Sequence, residues 1–68
     1  MTTVPVTVAL IPEAAADLNR LRERTGLSGT DIVNRAVSLY EFCEAQLSAG
    51  RDLLVRDTDG TMRLVKLL

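Results

Sequence analysis

The chain has 68 residues, a hydrophobic content of 47%, and a net charge of −1 from eight basic and nine acidic side chains. That length allows one domain, and below roughly 70–80 residues a single core rarely supplies more than about 3–5 kcal/mol unless a disulfide, a metal or oligomerisation adds to it. Cys43 is the single cysteine and histidine is absent, which excludes an intrachain disulfide and leaves a structural zinc site without its ligand set.

Oligomerisation is the route that remains, and the large apolar load for so small a chain predicts a homodimer. The sequence pI of about 5.2 is lower than that of most nucleic-acid-binding domains, so the placement of the basic residues matters more than their sum. The first residues show no basic region followed by an apolar run, and no secretory signal is expected. No apolar stretch approaches the length of a bilayer span, so no membrane partner is expected. An unpaired cysteine fits a reducing, cytoplasmic setting.

Residues 3–10 (TVPVTVAL) alternate, with Val4, Val6, Val8 and Leu10 on one face and Thr3, Pro5, Thr7 and Ala9 on the other. A period of two with β-branched residues predicts a strand with one buried face. Pro5 has no N–H to give to a ladder, so the strand cannot be central in a sheet. With Pro5 turned away from its neighbour, Thr7 and Ala9 turn away with it, and the even-numbered residues carry the ladder. The expectation is a two-stranded ribbon.

Pro12 suits the first position of a helix, and Glu13 in the first turn complements the dipole. The helix is predicted over about 12–25, with Ala14, Leu18 and Leu21 forming a narrow apolar stripe and Gly26 as its stop. Ser28 followed by Asp31 three residues later has the spacing of a capping box, and predicts a second helix over about 29–48. Ile32, Val33, Ala36, Val37, Tyr40, Cys43 and Leu47 line one side of it, widened by Leu39 and Phe42. A helix apolar over this much of its circumference must be covered on more than one side, a second argument for a dimer. Cys43 and Tyr40 read as core side chains on that stripe. Gly50 ends the helix. Residues 51–68 then predict a hairpin: Asp57-Thr58-Asp59-Gly60 suits a type I turn with a left-handed glycine, which sets Leu53 near Val65 and Asp52 opposite Lys66. A two-residue turn at Asp59-Gly60 would instead oppose Arg56 to Arg63, an unfavourable pair.

The order strand, helix, Gly-Leu-Ser turn, helix resembles the ribbon-helix-helix family of the Arc, methionine and CopG-type repressors. The resemblance is carried by Val6-Thr7-Val8-Ala9-Leu10, Pro12-Glu13, Leu18, Leu21, Thr25-Gly26-Leu27-Ser28 and the apolar run from Ile32 to Tyr40, about three quarters of the chain. It implies a mainly α fold with short β: an intertwined homodimer over residues 1–50, whose N-terminal strands pair above a shared four-helix core, with the hairpin of residues 51–68 as an addition. Val6, Val8, Leu10, Leu18, Leu21, Ile32, Val33, Ala36, Val37 and Tyr40 would form the dimer core. The ribbon would enter the major groove of double-stranded DNA, which admits two strands. Thr3, Pro5, Thr7 and Ala9 would face the bases, and Ser28, Gly29 and Thr30 at the start of the second helix would bind phosphate.

The chain departs from the family's usual Arg, Lys, Asn or Gln readers. Thr7 and Thr3 alone can hydrogen-bond a base edge, while Pro5 and Ala9 can touch thymine methyls. Arg20, Arg22, Arg24 and Arg35 are candidates for backbone contacts, or else a solvated face with Asp17 and Glu23. Two functions stay open. One is a transcriptional regulator, a repressor acting as a dimer or as adjacent dimers on DNA. The other is a protein-interaction module, an antitoxin or assembly adaptor, with the hairpin docking a protein partner through Leu54, Met62 and Leu64; a lid over the helical core is the plainer role for that hairpin. No cofactor, metal or catalytic residue is expected: Glu41 and Glu44 share a helix face, but nothing beside them marks acid–base chemistry.

Overall fold

The structure, a computed structural model, describes residues 2–67. Its elements are α1 (Pro12–Thr25), α2 (Gly29–Ser48), β1 (Leu53–Arg56) and β2 (Met62–Val65). The chain divides into two compact units, one ending at Val33 and the other beginning at Asn34. The division follows contacts within one chain and falls inside α2, ahead of that helix's end.

In the first unit, α1 starts with Pro12 at its first position, after Ile11 in an extended conformation (φ −66°, ψ 155°). Proline there gives up an N–H that has no intrahelical partner anyway, and its fixed φ is already helical. Gly26 ends the helix with φ 73°, and its N–H donates to the Arg22 carbonyl at 2.9 Å. Left-handed backbone at that position suits glycine, which has no Cβ to clash. The Thr25 hydroxyl donates to the Leu21 carbonyl at 2.6 Å and accepts the Leu27 N–H at 3.2 Å, so one side chain closes α1 and holds the turn after it. Ala14, Leu18 and Leu21 are half-buried.

Residues 2–10 form neither helix nor strand. The strand expected over 3–10 is therefore not formed within the single chain. Alternation supplies an apolar face, but a ladder needs a second strand, and the sheet among the described residues consists of β1 and β2. The apolar face is in water accordingly, with Val6 75% exposed.

In the second unit, β1 and β2 pair antiparallel with Leu53 opposite Val65, Leu54 opposite Leu64, Val55 opposite Arg63 and Arg56 opposite Met62. The turn is the bulged one expected from Asp57-Thr58-Asp59-Gly60. Gly60 N–H donates to the Asp57 carbonyl at 2.9 Å, Asp57 N–H to the Thr61 carbonyl at 2.7 Å, and Gly60 has φ 91°. The Asp59 carboxylate accepts the Thr61 N–H at 2.9 Å, and Arg63 Nε reaches Asp57 Oδ2 at 2.8 Å across the turn. The hydrogen bonds to Thr61, that of its backbone N–H first, hold the Asp59 carboxyl below its ordinary value.

Within the single chain, burial is slight. Among the described residues the one buried side chain is Ile32, 7% exposed. Leu18 and Leu21 are half-buried, while Val6, Val8, Leu10, Val33, Ala36, Val37 and Tyr40 are exposed. The physical reason is geometric: α2 carries apolar residues around most of its circumference, and one chain of this size has too little surface to cover them.

Candidate nucleic-acid interface

The expected base-facing residues, Thr3, Pro5, Thr7 and Ala9, are all exposed. So are the residues between them, from Val4 at 82% down to Leu10 at 44% as the segment approaches α1. Both faces of the segment are open, and the chain itself imposes no choice between them. Chemically the odd face offers two hydroxyls, which donate and accept, and two small apolar groups, which can contact thymine methyls.

The expected phosphate residues lie at the start of α2. Ser28 caps the helix: its Oγ accepts the Asp31 N–H at 3.1 Å and its carbonyl accepts the Ile32 N–H at 3.0 Å. A cap of this type satisfies one of the amides that the first turn leaves without intrahelical partners. Gly29 is half-buried, its backbone is not in the left-handed region, and no atom lies within 4 Å of the place a Cβ would occupy. Neither conformation nor crowding within the chain therefore calls for glycine here. Thr30 and Asp31 are exposed. The Asp31 carboxylate complements the helix dipole and also repels any anion approaching the same turn.

The basic residues divide into used and unused ones. Arg20 forms an exposed ion pair with Asp17, and such pairs contribute little. Arg22 and Arg24 occupy the last turn of α1, where cations suit the dipole. Neither they nor Arg35 form an ion pair among the described residues. Arg22 also lines an open surface hollow of about 440 Å³ with Asn19, Glu23, Gly26 and Leu27, so Arg22 and Asn19 stand beside the turn that leads to Ser28. The sequence reading passed over Asn19; its signal was the three-residue step to Arg22, which puts both on one helix face.

Further along α2, Ala36, Val37, Tyr40, Glu41 and Glu44 line a second open hollow of about 620 Å³. Its lining is mostly apolar. Cys43 is half-buried on this helix. Among the described residues no cluster of acidic or cysteine side chains is arranged to hold a metal, and no helix is long and apolar enough to cross a membrane. Comparison of the chain with family models, with curated proteins and with solved structures returns no match.

Proposed function

We propose that this chain is a DNA-binding transcriptional regulator, a repressor that works as a homodimer and inserts a two-stranded antiparallel ribbon into the major groove. The observation that carries the reading is the open N-terminal segment. An alternating stretch with Val4, Val6, Val8 and Leu10 in water stands directly before two capped helices, the second of which is apolar on most of its sides. A second copy supplies what each part lacks. Its N-terminal segment completes a ladder, and its helices cover Val33, Val37 and Tyr40. The outward residues of the paired segments are then Thr3, Pro5, Thr7 and Ala9, at the width a major groove accepts. Arg22, Arg24 and the first turn of α2 supply phosphate contacts, which fix position without reading sequence.

The test is a mobility shift on the DNA upstream of the chain's own coding sequence, at two salt concentrations. Phosphate-driven binding weakens steeply as salt rises. Thr7→Ala is expected to lower operator affinity by about tenfold, the order of one hydrogen-bonded base contact per chain, with the solution mass unchanged. Equal affinity for Thr7→Ala and the parent at both salts would remove base reading by the ribbon.

A second reading is favoured by one specific observation. Leu54, Met62 and Leu64 are on one face of the hairpin and each is more than half exposed. That face fits a protein-interaction module, an antitoxin or assembly adaptor on the same dimeric core, docking through residues 51–68. Deletion of the hairpin that leaves every protein partner bound eliminates it.

A further inference from the structure

We infer that the free edge of β1 pairs with the β1 edge of a second copy, antiparallel about a two-fold axis at Leu54, to give a four-stranded sheet in the order β2-β1-β1-β2. This deepens the docking reading of the hairpin by naming its partner, another copy of this chain, and it draws nothing from the N-terminal ribbon. Asp57 donates to Thr61 at the turn, and antiparallel ladders alternate between hydrogen-bonded and non-hydrogen-bonded pairs. With Leu53 opposite Val65 and Val55 opposite Arg63, these two are the hydrogen-bonded pairs. Leu54 and Arg56 therefore turn their backbone N–H and C=O groups away from β2, to the open edge. A two-fold axis at Leu54 needs that arrangement, since the two copies of Leu54 exchange a pair of hydrogen bonds across it.

The side chains on the same face are self-complementary in charge. Asp52 and Arg56 stand two residues to either side of Leu54, both exposed, and neither has an ion-pair partner among the described residues. The axis sets Asp52 of each copy opposite Arg56 of the other, an opposite-charge pair of the favourable cross-strand kind. Leu64, Leu54, Leu54 and Leu64 then form one row across the sheet, covering side chains that are 53% and 52% exposed in the single chain. The β2 edge lacks this property: an axis at Leu64 sets Met62 opposite Lys66, with no charge match. Edge strands are commonly protected from pairing by charges that repel a like neighbour; the charges to either side of Leu54 are ordered to attract one.

Charge reversal tests the pairing through the mass of the full chain in sedimentation velocity at rising concentration. With the ribbon and the hairpin both pairing, the parent chain grows from two copies towards four. Asp52→Arg alone and Arg56→Asp alone each convert two symmetry-related attractions into repulsions and weaken the association at least about tenfold. The double variant Asp52→Arg with Arg56→Asp restores the order of charges and with it the association. Growth of either single variant like the parent, failure of the double variant to recover, or a parent and variants that all stop at two copies would overturn the edge pairing and leave the ribbon standing. A parent of two copies whose single variants fall to one copy supports the edge pairing and removes the ribbon instead.

Discussion

Val6 offers a direct measure of how much the proposed dimer depends on its N-terminal segments. The side chain is 75% exposed in the single chain, so Val6→Ala removes almost nothing from a chain that stays alone. In the paired state the substitution deletes two buried carbon groups, each worth about 0.8 kcal/mol. Scaling by the three quarters of the surface that pairing newly covers leaves about 1.2 kcal/mol per chain, about 2.4 kcal/mol per dimer, and a dissociation constant roughly 50-fold higher. Sedimentation equilibrium from nanomolar to micromolar chain concentration reads that shift, and the urea midpoint falls with it in a concentration-dependent way. A Val6→Ala chain with the parent's mass distribution and the parent's urea midpoint at every concentration refutes the ribbon, because the side chain would then be as wet in solution as it is in the single chain.

Three further outcomes follow from local geometry. Gly29→Ala meets no neighbour within 4 Å and leaves helix content, by circular dichroism, at or slightly above the parent's; a simultaneous fall in DNA affinity in the mobility shift identifies Gly29 as a place where phosphate approaches backbone, and unchanged affinity assigns it to the helix alone. Ser28→Ala removes the acceptor for the Asp31 N–H and is expected to cost about 1 kcal/mol of stability in urea unfolding, against no change if the cap were idle. Asp59 is held below the ordinary carboxylate value by its hydrogen bonds to Thr61, so its contribution to the turn is complete above the unfolded-chain value and is lost as pH falls through the lower folded value. The Thr61 amide resonance should therefore move only in the acid limb, and Asp59→Asn should abolish that movement.

The helices and hairpin were legible because local chemistry decides them. Pro12, Gly26, Ser28 and Gly60 each occupy a position whose backbone demands are met within a few residues, and α1, α2 and the β1–β2 register lie where those residues put them. The fate of residues 3–10 was not decided locally. Alternation records that one face needs covering, but a ladder is a property of two segments, and among the described residues no strand pairs with residues 3–10. Of the apolar stripe of α2, Ile32 alone is buried within the chain, and the covering of the rest belongs to the proposed dimer. The charge order about Leu54 escaped the sequence reading for a different reason. Asp52 and Arg56 become an edge motif only once the bulged turn has settled which backbone groups of β1 point outward. Asn19 beside Arg22 likewise needed the turn at Gly26 to acquire a place.

That Ile32 is the one buried side chain among the described residues governs how a solitary copy would respond to heat and denaturant. Folding such a copy removes less apolar surface from water than a compact domain of this length would, so its unfolding carries a reduced heat-capacity increment and a shallower dependence on urea. The helices would then melt by gradual fraying at their ends, each on its own schedule, without a shared transition. A sharp calorimetric peak from this chain would consequently be a signature of assembly, and its midpoint should climb as the sample is concentrated.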